Sequence, residues 1–343
     1  MTSAENVSKD ANSITRFMFD VGDARLHVEL SGDHGPIVVV ETGDGGMVDA
    51  WRPMRLHLPD TRVLLYDRPG FGNSTKTAAA VDACAAADRL ARLLVGQMLT
   101  EPVVLVAHSA GAFRAICFAD RHPELLGALV LIDPSVPDTP ALLRALRILR
   151  FVTRVPGMFG SFVVARLKVR GSHRTTAPAM STSRPSGQTL GYLRAVLDEA
   201  MSAGVSRRQA RTASMPPSLP LIVVTRAEPS RQCQSPHEWI ALHLWTGVHE
   251  RQHRLASRSV NSVHIVAKHA GHSVHRDEPE TVAAAIHLAI SALTAGDQSR
   301  DDHLLPIMGL QPQVATSSTI LSPIPISSIE TAPVQPPTEE ALS

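Results

Sequence analysis

At 343 residues the chain is long enough for one large domain carrying an insertion, or for two domains. With 44% hydrophobic residues it can bury a sizeable core, and a net charge of +1 gives no global pull toward nucleic acid or a membrane surface. Its three cysteines (Cys84, Cys117, Cys233) are odd in number and far apart, which excludes a disulfide framework and fits a reducing compartment. Residues 1–13 are polar and lack the apolar centre of a signal peptide. No run of about 18 uncharged apolar residues occurs, so the expectation is a soluble, cytoplasmic protein. Ile14–Val21 and Ala24–Leu30 then read as two strands joined at Gly22-Asp23, a hairpin signal. "PIVVVET" (36–42) is a continuous β-branched run, the mark of a strand buried on both faces. The same mark recurs at 61–67, 101–109, 125–133, 219–225 and 261–267. Helical patterns lie between these runs at 78–99, 110–121, 236–256 and 278–294. Strands alternating with helices predict an α/β fold with a mostly parallel, doubly wound sheet.

Two segments break the alternation. Residues 134–216 show no buried strand; 141–154 and 191–201 read as helices separated by a Ser/Pro/Gly-rich stretch, a helical insertion at the sheet edge. Residues 297–343 are rich in Pro, Ser, Thr and Gln and read as a disordered tail, like residues 1–13. The predicted core is therefore 14–133 plus 217–296.

The stretch "VVLVAHSAGAF" (103–113) carries the strongest chemical signal. A strand that turns sharply into a helix strains its turn residue, and small neighbours relieve the crowding. Here Ala107 and Gly111 flank Ser109, lifting its hydroxyl over the carboxyl edge of the sheet, with the next helix starting beneath it. This is the nucleophile elbow, G-x-S-x-G, with alanine for the first glycine. A serine hydroxyl needs a base. His272 supplies one, in a loop that follows the last strand; His269 and His275 are its local rivals and read as surface or core histidines. Acyl transfer also needs oxyanion donors. The backbone N–H of Ala110 is one, and the glycine-rich loop Thr42-Gly43-Asp44-Gly45-Gly46 offers the other, Gly43 first and Asp44 second.

Five blocks in this order, "VVVETGDGGMVDAW", "LLYDRPGFGNS", "VVLVAHSAGAF", "LVLIDPS" and "AGHSVHRDEPE", make the chain resemble the α/β-hydrolase fold superfamily over roughly 14–296. The resemblance implies Ser109 as nucleophile, His272 as base and 134–216 as a helical cap over the active site. Many relatives carry His-Gly where this chain has Glu41-Thr42; it looks most like a subgroup with Glu-x-Gly. Asp67 and Arg68 read as ties within their own turn. Two carboxylates compete for the third place. Asp133 closes the strand after the nucleophile helix, and Glu228 follows the next strand, where the family more often puts the acid; the reading leans to Asp133, with Glu228 the alternative.

The expected activity is hydrolysis of a carboxylic ester, or a related acyl bond, through an acyl-enzyme, with a small-molecule substrate, no cofactor and no metal. Amide and C–C bond hydrolysis stand behind it. A serine at the elbow argues against epoxide and haloalkane hydrolases, which use aspartate. A ligand-binding receptor or sensor on the same fold is the alternative from another class. His249-Glu250-Arg251-Gln252-His253 also spells H-E-x-x-H, a zinc protease motif; Arg251 and Arg254 disfavour a divalent metal there, and the stretch reads as an exposed helix face. From Thr139 to Leu197 there is no Asp or Glu but ten Lys or Arg, interspersed with leucines at 142, 143, 146 and 149. This basic, apolar cap is expected to favour medium or long acyl chains, or to rest on anionic lipid.

Overall fold

The computed structural model describes residues 14–97, 99, 101–138, 186–226 and 247–294. Eight strands form one sheet: β1 (Ile14–Asp20), β2 (Arg25–Ser31), β3 (Ile37–Glu41), β4 (Arg62–Tyr66), β5 (Val103–His108), β6 (Leu126–Ile132), β7 (Leu221–Arg226) and β8 (Ser262–Ala267). Their order is β1-β2-β4-β3-β5-β6-β7-β8. β1 and β2 pair antiparallel, β2 meets β4 antiparallel, and every other neighbouring pair is parallel. The hairpin turns at Gly22, whose φ of 95° a side chain would resist.

The β-branched runs are explained by what covers the sheet. Side chains alternate along each strand, so Val39, Leu105, Leu129, Leu131 and Val223 enter one core while Val38, Val104, Val106, Val130 and Val224 enter the other. The first core is closed by α1 (Ala83–Gly96) and α2 (Gly111–Arg121). The second is closed by α6 (Pro279–Thr294) and the 3-10 turns around Trp51 and Met54. The α/β class and the mostly parallel, doubly wound sheet are as the sequence predicts.

The insertion contributes one described element, α3 (Ser186–Thr212), longer than the predicted helix over 191–201. Its C-terminal half packs on α1 and α2: Ser206 accepts the Ala83 N–H at 3.0 Å, Gln209 the Cys84 N–H at 3.2 Å, and Ala210 is fully buried. Its N-terminal half reaches the carboxyl edge of the sheet. The remaining helices are α4 (residues 247–256) and the single turn α5 (Val274–Asp277). Residues 139–185 of the basic segment, both tails and Cys233 lie outside the described residues. Cys84 and Cys117 are free thiols. Among the described residues no helix is long and apolar enough to cross a membrane.

One buried carboxylate fixes the turns below the glycine-rich loop. Glu29 on β2 accepts from Arg52 Nη2 at 2.5 Å, Arg55 Nη1 at 2.9 Å and Arg16 Nε at 3.1 Å. Burial alone would raise its carboxyl, but the three guanidinium groups hold it down at about 2, against an ordinary 4.5. The folded pKa is depressed, so the unfolded chain binds the proton more readily. The contribution to stability is complete above about 4.5 and lost as the pH falls toward 2. Glu29→Gln should therefore unfold at lower denaturant than the parent at neutral pH, and the gap should close through that acid window. Midpoints that stay equally far apart at every pH would contradict this.

Candidate active site

β5 is buried along its whole length and ends at Ser109, whose φ is 55°. The turn is locked from three sides. The Ser109 N–H donates to the Ile132 carbonyl at 3.0 Å, and the Ser109 carbonyl accepts from Ala112 at 3.2 Å and Ser135 at 2.8 Å. The small neighbours have a measurable reason. A Cβ at Gly111 would lie 2.6 Å from the Glu41 carbonyl oxygen and 2.9 Å from that of Thr42. Ala107 pairs in register with Glu41 on one side and Leu131 on the other, with no exposed surface.

Among the described residues, two non-glycine positions take a left-handed φ: Ser109 and Asp133, the latter at 38°. Such strain persists only where the surroundings over-determine it, and it clusters at functional sites. Asp133 ends β6, its N–H donating to the Val224 carbonyl at 2.7 Å. Between the two stands His272, on the loop that joins β8 to α5. Its Nε2 lies 2.9 Å from Ser109 Oγ and its Nδ1 lies 2.5 Å from Asp133 Oδ2. The Asp133 neighbour fixes the neutral ring with its proton on Nδ1, leaving Nε2 to accept from the serine. Burial works to raise the Asp133 carboxyl, but the His272 hydrogen bond and the Arg226 charge hold it below the usual carboxylate range. A hydroxyl, an imidazole and a carboxylate in this sequence can move one proton off the serine while keeping charge separation short.

The histidine loop is seated on aromatic rings. His275 is buried and stacks on Trp51 with centroids 4.2 Å apart, its pKa pushed down to about 3 by burial. His108 sits 4.8 Å from the His272 ring and its Nε2 approaches the His272 carbonyl at 2.9 Å; burial, and then the nearby His272, push it down to about 4. Both rings are thus neutral supports. His269 is exposed.

The glycine-rich loop lies directly beside the serine. A Cβ on Gly43 would stand 3.1 Å from Ser109 Cβ and 3.2 Å from His108 Nδ1, so a glycine is what fits. Asp44 is half-exposed and accepts from Arg114 Nη1 at 3.0 Å. Behind the loop is a buried ionic brace. Glu41 accepts from Arg114 Nε at 2.6 Å and Arg68 Nη1 at 3.2 Å, and also from the Tyr66 hydroxyl. Arg68 Nη2 donates to the Gly43 carbonyl at 2.9 Å, and Arg114 Nη2 to the Thr42 carbonyl at 2.7 Å. Glu199 of α3 closes the brace, accepting from Arg68 Nε at 2.6 Å and from the Gly45 N–H at 3.0 Å. Two cations and two carboxylates therefore meet in a buried setting, and their mutual hydrogen bonds offset the cost of burial. The brace fixes three carbonyls or N–H groups of a loop that its own glycines would leave loose.

The sequence reading of the "YDRPG" turn divides here. Asp67 ties its own neighbourhood, accepting from Val48 N at 3.1 Å, Asn73 N at 3.2 Å and His27 Nδ1 at 3.0 Å. Arg68 instead serves the glycine-rich loop and α3. The H-E-x-x-H stretch falls on α4, where Glu250 is exposed but Gln252 and the two histidines turn inward. Gln252 is buried and donates to Asp133 Oδ1 at 3.0 Å; His249 Nε2 approaches the Arg226 carbonyl at 2.8 Å, and His253 faces His264. Among the described residues no group of three or more His, Cys, Asp or Glu could hold a metal ion. Glu228 lies outside the described residues. Arg114, Glu199, Gln252 and Arg226 went unread in the sequence. Arg114 had a signal: a charged residue in the middle of a helix whose other positions, 111–119, are apolar or small.

Comparison with known proteins gives the same architecture. The profile of the alpha/beta hydrolase family matches residues 16–285. An uncharacterized protein of Bacillus subtilis, YqjL, is 24% identical over 257 residues, covering 75% of this chain and 84% of its own. The lipase LipV of Mycobacterium tuberculosis is 36% identical over 115 residues, 32% of this chain and 42% of its own. Among solved structures, a putative epoxide hydrolase from Pseudomonas aeruginosa superposes with a TM-score of 0.53 at 20% identity, covering 82% of this chain and 97% of the other, a likeness of fold.

Proposed function

The chain belongs to the alpha/beta hydrolase family, and from that premise we propose that it is a serine hydrolase cleaving a carboxylic ester through an acyl-enzyme. Ser109 Oγ attacks the carbonyl carbon as its proton passes to His272 Nε2. Asp133 holds the imidazolium that forms. The backbone N–H groups of Ala110 and Gly43 stabilise the tetrahedral oxyanion, with Asp44 N–H the alternative donor. The C–O bond breaks, the alcohol leaves with the proton from His272, and a water activated by the same ring releases the acid. The observation that carries this reading is the unbroken contact chain Ser109–His272–Asp133, built from two strained strand ends and a loop. The similarity to LipV over the segment they share favours an ester among acyl substrates.

The experiment is a fluorophosphonate probe, with p-nitrophenyl esters of graded chain length alongside. Stoichiometric phosphonylation of Ser109 together with turnover is the expected result. Neither labelling nor hydrolysis of any ester would sink the proposal. Labelling without turnover would turn the assignment to a receptor or sensor that keeps the constellation.

A further inference from the structure

Asp133 has two oxygens, and two residues outside the reacting chain meet them, one by a hydrogen bond and one by an ion pair. Gln252 Nε2, buried on α4, donates to Oδ1 at 3.0 Å and to the Pro134 carbonyl at 2.8 Å. Arg226, the last residue of β7, places Nε 3.2 Å from Oδ2, the same oxygen that meets His272 Nδ1. We propose that Gln252 and Arg226 are positioning residues that clamp the acid: Gln252 sets the rotation of the carboxylate, and Arg226 sets the charge that the carboxylate presents to the His272 ring. The inference rests on the serine hydrolase reading and deepens it.

The physical argument for Arg226 is competition. A carboxylate oxygen shared with a guanidinium has less to give an imidazolium. The fixed cation also repels a second positive charge on the ring. Both effects oppose a positive charge on the ring beside Asp133. Among the described residues, the other titratable groups around the couple do not supply this charge. From β5, His108 faces the ring, and from α5, His275; both are neutral by burial. Arg276 on α5 is exposed, and His249 on α4 turns its Nε2 to the Arg226 carbonyl. Gln252 is uncharged, so its part is geometric: with Oδ1 held by an amide that is itself anchored on Pro134, Oδ2 must face His272.

The test is the second-order rate of fluorophosphonate labelling, followed across the acid limb for the parent, Arg226→Gln, Arg226→Lys and Gln252→Leu. Arg226→Gln should move the limb upward by about half a pH unit or more, since a charge this close to a partly solvated couple acts on that scale. Arg226→Lys, which keeps the charge, should stay with the parent. Gln252→Leu should lower the plateau roughly tenfold, the loss of one hydrogen bond to a charged group, with the limb in place. A buttress with no electrostatic part would lower the plateau of Arg226→Gln and leave its limb unmoved; that result, or a lysine variant that moves as far as the glutamine one, overturns the inference. A parent protein that the probe does not label would fail the serine hydrolase reading itself, and this inference with it.

Discussion

Ser109→Ala should lower ester turnover by about a thousandfold or more and abolish fluorophosphonate labelling, while the folded protein stays as stable as the parent. The loss is large because the substitution removes the atom that forms the covalent bond, and among the described residues no other hydroxyl hydrogen-bonds His272 Nε2. What remains is binding and oxyanion stabilisation, which help a water attack but do not replace the serine. Stability should hold for a separate reason. The backbone bonds that lock the turn, to Ile132, Ala112 and Ser135, do not involve the side chain. The His272 ring that loses its partner is about half exposed (47%), so water can satisfy Nε2 and no buried polar atom is orphaned. Steady-state hydrolysis and a thermal melt on the same sample check both halves. Full esterase activity in the variant would remove Ser109 from the chemistry.

The parts of this molecule that the sequence displays are the ones set by local rules. A strand buried on both faces must be apolar without alternation, so β3, β4, β5, β6 and β7 could be read from their continuous apolar runs. The elbow could be read because close approach demands small residues, and the demand at Gly111 is visible as a Cβ that would strike the Glu41 carbonyl. The serine and the histidine are legible for the same reason: each sits in a short block with its turn residues around it. The brace behind the glycine-rich loop was not legible. It joins Glu41, Arg68, Arg114 and Glu199 through hydrogen bonds whose partners lie up to 131 residues apart, and no periodicity connects them. Gln252 was hidden more thoroughly. Its neighbours spell a zinc motif, and the charges of the helix suggest a solvent-facing surface, because nothing in its own spacing shows that β7 and the end of β6 lie against it. Pairing across a sheet edge is information of topology, and a single chain does not carry it in its spacing.

The identity of the acid is where topology makes the sharpest demand, and Asp133→Asn should reduce kcat by about three to four orders of magnitude with little change in melting temperature. The clamp dictates which way the new amide turns. Gln252 presents an N–H to the position of Oδ1, so the oxygen of the substituted side chain must stay there. Its NH2 is then forced into the place of Oδ2, against His272 Nδ1 and beside Arg226. A donor facing Nδ1 makes that nitrogen the acceptor, and the ring proton moves to Nε2. The face toward Ser109 then carries a proton and cannot take one. The imidazolium, if it forms, finds an amide and a guanidinium where it needs a carboxylate. The scaffold tolerates the change because volume and the Gln252 bond are kept. Glu228→Gln, measured alongside, should leave kcat near the parent value. A nearly normal Asp133→Asn beside an inactive Glu228→Gln would reverse the assignment and place the acid after β7.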